Sequence, residues 1–393
     1  MSGRSCLSSC HVTIQIRARL CVVSLTSLPS SSAATMCVKS TSRVFQILYW
    51  NNSRELMIPF PALTSLQLHS NEEWPLTLPS SFLGLFAPRL RSLRLSGIPF
   101  SAPYKLLLSC AGLATLRMEN IPHTEYISPE DMVTCLSVLA KVEEVALGFQ
   151  RALSWNQTSP NQSSPTHAVL PALTFLRFQG DCWYLEALIS QIDVPLLDNF
   201  DISFFNLTLS NTPLLCELIS RMETFKGLHR AKVVFQDCIA NITLSRQGWS
   251  ADYKTSKLGI ICRRPDQQLS SMARICSSSL PSLSTLTHLY IHDSYWLTGF
   301  LDEMDNTQWV ELLVPFTSVE NLHLCHKQAP YVTCALQELT GERIVQVLPA
   351  LQTIFLNKPP LTGADPKVTG WFIVARQLSG RPVSVHYRDG IRW

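Results

Sequence analysis

The chain has 393 residues, 46% of them apolar, and a formal net charge of +3. Charged residues make up only 16%, so neither a nucleic acid nor a charged membrane surface is expected as partner. No apolar run approaches the roughly 20 residues that a membrane-spanning helix needs.

In chain order, residues 1–43 stand apart. They contain no acidic residue, the first being Glu55, and carry Arg4, Arg17, Arg19, Lys39 and Arg43 among many serines. That composition suits an unstructured leader or a mispredicted start, a mitochondrial presequence, or a weak secretory signal. Val44, Ile47 and Tyr49 then mark an opening strand. From there the pattern apolar-x-x-apolar-x-apolar recurs. Its instances are Leu63-Leu66-Leu68, Leu90-Leu93-Leu95, Leu113-Leu116-Met118, Val142-Val145-Leu147 and Leu173-Leu176-Phe178. They continue with Leu197-Phe200-Ile202, Leu228-Ala231-Val233, Leu286-Leu289-Ile291, Val319-Leu322-Leu324 and Leu351-Ile354-Leu356. Neighbouring instances are 23 to 33 residues apart, except between Leu228 and Leu286, where the region Leu258-Gly259-Ile260 reads as one degenerate unit.

Side chains alternate across a strand, so the last two apolar positions of each instance face one way and the residue between them faces the other. A strand of this kind cannot bury its apolar side alone; stacked copies form a parallel sheet over a shared core. Prolines before the motifs (Pro61, Pro88, Pro171, Pro195, Pro281 and Pro349) suit strand beginnings, where a missing N–H is tolerated. Helices are expected on the other side of the core. One runs from Pro129 to Ala140, with Ser128 and Asp131 as its capping box, and others occupy 306–314, 331–347 and 368–378. Gly380 stops the last of these before a closing strand, Val383 to His386. The fold class that follows is α/β: residues 44–393 form an irregular leucine-rich-repeat solenoid, with a curved parallel sheet and helices or loops on its convex side. A polar loop at 149–168 and an irregular unit at 238–280 interrupt it.

The search for chemistry is negative. The chain has no phosphate-binding loop, no dinucleotide fingerprint, no zinc-protease motif and no nucleophile elbow. Cys6, Cys10 and His11 lack a second ligand pair for a metal. Glu143-Glu144 and Asp302-Glu303 are adjacent acids that read as surface charge, and His323 and His326, flanking Cys325, read as a strand position and a turn. No enzyme activity, cofactor or metal is expected. The 13 cysteines are odd in number and several take core positions, which fits a reducing compartment. Asn-x-Ser/Thr triplets at Asn51, Asn156, Asn161, Asn206 and Asn241 matter only in a secreted chain.

The residues between the last two apolar positions are more informative. They are Gln67, Arg94, Arg117, Ala146, Arg177, Asp201, Lys232, Tyr290, His323 and Phe355. Stacked in register, they form a ribbon on the concave face, basic at first and aromatic later, suited to gripping a protein with an acidic segment. The candidate binding residues are Arg91, Arg94, Arg117, Arg177, Lys232, Tyr290 and His323.

Literal strings add a resemblance. SFLGLFAPRLRSLRLSGIPF (81–100), YISPEDMVTCLSVLAKVEEVAL (126–147) and LPALTFLRF (170–178) are similar to segments of basidiomycete F-box proteins with divergent leucine-rich repeats. So are NTQWVELLVPFTSVENLHL (306–324), ALQELTGERIVQVLPALQTIFL (335–356) and FIVARQLSGRPVSV (372–385). The resemblance covers roughly residues 45–393. It implies the substrate-recognition region of a ubiquitin-ligase adaptor, acting in the cytoplasm or nucleus on an unknown protein substrate. A Skp-type adaptor is implied as partner only if an F-box stands upstream, because residues 1–43 contain no Leu-Pro-x-Glu opening. A mitochondrially targeted repeat protein and a secreted repeat receptor are the alternatives.

Overall fold

The computed structural model describes residues 10–17, 20–26, 45–48, 63–70, 82–98, 103–122, 127–150, 167–205, 212–236, 238–246, 255–262, 265–293, 305–325, 327–357 and 370–388. They form a mixed α/β fold rich in parallel strands, divided into two compact units: Met1–Gly180 with Ala187–Leu197, and Asp181–Glu186 with Asp198–Trp393.

The first unit contains β1 (Cys10–Arg17), β2 (Leu20–Thr26), β3 (Phe45–Leu48), β4 (Leu63–Ser70), β5 (Ser92–Ser96), β6 (Thr115–Ile121), β7 (Glu144–Phe149) and β9 (Phe175–Gly180) in one sheet. The short strands β8 (Ala168–Val169) and β10 (Ile192–Asp193) pair separately. Helices α1 (Pro103–Leu108) and α2 (Pro129–Ser137) complete it, and α3 (Cys182–Ile189) holds residues of both units. From β4 to β9 every neighbouring pair is parallel and in motif register: Leu66, Leu93, Leu116, Val145 and Leu176 are successive partners. The expected opening strand is found as β3, but it does not adjoin β4. It pairs with β2, and β1 lies parallel beside β4. Two strands thus come from residues 1–43.

In the second unit the sheet order is β11 (Asn199–Phe205), β14 (Ser256–Ile261), β13 (Ile239–Ser245), β12 (Arg230–Gln236), β15 (His288–Asp293), β16 (Asn321–Leu324), β17 (Thr353–Asn357) and β18 (Ser384–Arg388). Its helices are α4 (Pro213–Arg221), α5 (Pro265–Ser278), α6 (Asn306–Leu313), α7 (Ala329–Gln337), α8 (Arg343–Gln346) and α9 (Gly370–Leu378). The long gap between motifs is filled by a meander. β13 runs antiparallel to both β12 and β14, and β14 lies parallel to β11. Leu258 and Ile260 of β14 are buried, so the degenerate unit is a strand of this sheet. It adjoins β11, however, and β12 stands two strands further on.

All three apolar positions of all ten motifs are at most 6% exposed, which is why the six-residue pattern is so regular. The repeat extends further back than the motif. The N–H of the first motif residue donates to the carbonyl three residues earlier in Leu90–Ala87, Leu113–Cys110, Val142–Leu139, Leu286–Leu283, Val319–Phe316 and Leu351–Leu348. Those earlier residues are themselves buried. Cys110 is therefore a repeat position filled by a small apolar side chain.

Helix α2 begins where expected. Pro129 takes its first turn, the Asp131 N–H donates to Ser128 Oγ at 3.1 Å, and Met132, Val133, Cys135 and Leu136 are buried. It stops at Ser137 because the following residues form the turn that leads into Val142. The expected helix 331–347 is instead two, α7 and α8, broken around Gly341, whose φ of 57° suits glycine. Helix α9 carries a fully buried Arg376 that donates to the carbonyls of Ile344 (3.3 Å), Leu348 (3.4 Å) and Leu351 (3.0 Å). This guanidinium ties the helix to the turn before β17, replacing water for carbonyls that no strand reaches.

Candidate recognition face

On each sheet the side opposite the motif leucines carries rows of residues whose order is fixed by strand register. In the first unit the central row runs Gln67, Arg94, Arg117, Ala146, Arg177 across β4, β5, β6, β7 and β9. Arg94 and, just before its strand, Arg91 are exposed. The other two arginines are engaged. Arg117 forms an ion pair with Glu144 at 2.5 Å, and Arg177 reaches Glu119 at 3.5 Å across β7. Small residues make that reach possible: Ala146 and Gly148 are the open-face residues of β7 beneath it. The acid Glu144, read from sequence as plain surface charge, thus has a definite partner. The basic strip is half neutralised from within.

The second unit is organised differently. Lys232, Tyr290, His323, Phe355 and His386 are successive register partners on β12, β15, β16, β17 and β18. Parallel strands lie about 4.8 Å apart, a spacing that brings flat rings on neighbouring strands face to face. Ring centroids are 4.2 Å apart for Tyr290–His323 and 4.6 Å for His323–Phe355, with planes within 10° of parallel. His288 stacks beside Tyr290 and His323, and the Arg388 guanidinium lies 3.8 Å from the Phe355 ring centre. His288 Nδ1 and Thr287 Oγ1 are hydrogen-bonded at 2.9 Å.

This stacking changes the character of two candidates. Tyr290 and His323 were expected as exposed contacts, yet they are 6% and 4% exposed. Their neighbours' rings cover them, so they build the platform and leave its border to Lys232, His386 and Arg388. Burial, reinforced by repulsion from His288, Arg388 and Arg230, pushes the His323 imidazole down to a pKa of about 3. Burial pushes the Tyr290 phenol up and the Lys232 ammonium down. His288 is also held below its ordinary value, chiefly by burial and then by Arg230. The expected side-by-side placement of Asp201 and Lys232 does not occur. Lys257 and Thr243 stand between them, because β14 and β13 are inserted there.

Other sequence candidates separate cleanly. Among the described residues no group of three metal-ligating side chains is assembled, and no helix is long and apolar enough to cross a membrane. Cys110, Cys135, Cys182, Cys262, Cys276 and Cys325 are buried thiols. Burial, with Asp131 nearby, pushes the Cys135 thiol up to about 12, which removes its nucleophilic form near neutral pH. Asn241, a triplet asparagine, is 5% exposed and has no room for a glycan. Cys6, His326, Asp302, Glu303 and the other four triplet asparagines lie outside the described residues. The Arg–Glu pairing across β7 left only one trace in the sequence, small residues at two alternate positions of a single strand.

No protein-family model matches the chain, and no curated protein matches it. Among solved structures it is similar to the leucine-rich repeat-containing protein LegL7 from Legionella pneumophila. The identity is 15% over 84% of this chain and 95% of that chain, with a TM-score of 0.31, a likeness too loose to bear on function.

Proposed function

We propose that the chain is a non-enzymatic leucine-rich-repeat scaffold that binds another protein through the open faces of its sheets. The observation that carries this reading is the register: nine of the ten motif copies align their variable central residues into two rows, Gln67 to Arg177 and Lys232 to Phe355, while every motif leucine is buried. Such an arrangement spends its constant residues on a core and leaves the variable ones on a surface, as repeat proteins that bind partners do. On this reading the repeats form a curved solenoid like the substrate-recognition region of basidiomycete F-box proteins, and Arg91, Arg94, Lys232, His386 and Arg388 are contact residues. A ubiquitin-ligase role would add a Skp-type adaptor, recruited by an F-box upstream. Residence in the cytoplasm or nucleus fits the buried thiols.

A photo-crosslinking side chain placed at Arg94 or His386 tests the reading in extract of the native host. We expect discrete protein adducts from both positions and none from Thr134, on the exposed side of α2. Equal labelling from all three positions removes the basis for an open-face site. Recovery of a Skp-type protein on the intact chain supports the ligase connection, and its absence from the complex argues for a free-standing binding protein.

A further inference from the structure

The open faces of the two units differ in how their charge is balanced. In the first unit Arg117 and Arg177 are answered by Glu144 and Glu119, while Arg91 and Arg94 stand exposed. In the second, cations face cations. Arg230 and His288 are register partners on β12 and β15, and Arg388 on β18 lies over Phe355. None of the ion pairs among the described residues involves Arg230 or Arg388. The groups acting on His288 are Arg230, His229 and Arg388, all disfavouring its charge, and Glu320, which favours it. Arg230, Arg388 and His288 act together against charge on His323. Asp201 of β11 is separated from β12 by β14 and β13. Mutual repulsion of this kind raises the free energy of the empty site and falls when an anion enters.

Geometry limits what that anion is. Five adjacent strands put Arg230 and Arg388 roughly 20 Å apart, a span that about six residues of extended peptide cover. A nucleic acid would need exposed ring faces on which to stack its bases. Here the faces are consumed: Tyr290 by His323, His323 by Phe355, and Phe355 by Arg388. What the platform offers upward is polar. The flanking row of Arg230, His288, Asn321, Thr353 and Ser384 is polar throughout, with the Ser384 hydroxyl directed to Gln352 O and Thr353 Oγ1.

We propose that the open face of the second unit, between Arg230 and Arg388, is the docking site for an extended acidic segment of a partner protein. The proposal rests on the protein-binding reading above and assigns it a ligand class and a place. His288 makes the site acid-responsive, because a bound carboxylate favours its charged form.

The test uses the full chain and a fluorescein-labelled deca-glutamate peptide, followed by fluorescence anisotropy. Deca-glutamine and deca-uridylate serve as competitors. We expect binding of deca-glutamate that weakens with added salt, tightens from about pH 8 to about pH 6, and is not displaced by deca-glutamine. Arg230→Gln with Arg388→Gln should weaken it by roughly tenfold or more, with an unchanged thermal melt, whereas Lys141→Gln, in the exposed turn after α2, should leave it intact. No binding, equal loss in Lys141→Gln, or displacement by deca-uridylate at concentrations equal to the peptide would overturn the proposal. If crosslinks form at His386 while deca-glutamate does not bind, the acidic ligand is rejected and the protein-binding reading stands.

Discussion

His323 shows how one side chain can be placed correctly by pattern and still have its role reversed by packing. Its position between Leu322 and Leu324 puts it on the open face, in register with Tyr290 and Phe355. Ring stacking on both sides then removes it from water and holds its pKa to about 3. In the unfolded chain an imidazole titrates near 6.5. Between that value and about 3 the unfolded state binds the extra proton, so His323 lowers folded stability progressively as the pH falls through that window. His323→Phe keeps a flat ring in the stack and removes the proton site. Urea unfolding at about pH 7 and about pH 4.5 should show a smaller acid-side loss for His323→Phe than for the native chain. An identical loss in both would separate His323 from the acid response. Arg376 is the converse case. It shares the buried stripe of α9 with Phe372 and Ala375, an improbable place for a cation by composition. The carbonyls of Ile344 in α8 and of Leu348, Pro349 and Leu351 in the turn before β17 explain it.

At the scale of the element, the strands follow from residue chemistry almost without tertiary help, because each motif states which side is apolar and where the strand starts. Leu93 is fully buried and Leu95 nearly so, with Leu66 and Leu116 as the register partners of Leu93. Leu93→Asp therefore puts an unpaired carboxylate into the core shared by neighbouring strands, a cost of about 4 kcal/mol or more. The expected outcome is loss of the cooperative unfolding transition in circular dichroism. A soluble variant melting as the native chain does would disprove the register. Helix ends were readable where a cap marks them, as at Ser128, and misjudged where a glycine in a left-handed conformation interrupts an apolar pattern, as at Gly341. The meander of β12, β13 and β14 was only partly legible. Leu258 and Ile260 betray a strand, but nothing local says that it pairs with β11, because strand order is a property of the returning chain and not of the strand.

For the whole molecule, the decisive segment is the one least like the rest. Residues 1–43 read by composition as a leader, yet β1 lies parallel to β4 with Val12, Thr13 and Ile14 opposite Leu66, Gln67 and Leu68. A chain beginning at residue 44 would leave the edge of β4 unpaired, and exposed edges invite aggregation. Truncation should lower the melting temperature or the fraction recovered as monomer, by calorimetry and size-exclusion chromatography. A truncated protein indistinguishable in both would mark the segment as removable. The amino-acid sequence by itself determined the repeat, its apolar register and the identity of the residues in each open-face row, since alternation along a strand depends only on local covalent geometry. The tertiary structure alone decided which rows are continuous, which arginines are neutralised by Glu119 and Glu144, and which rings are buried by stacking. Those properties arise between strands, at distances set by backbone hydrogen bonding across residues far apart in the chain.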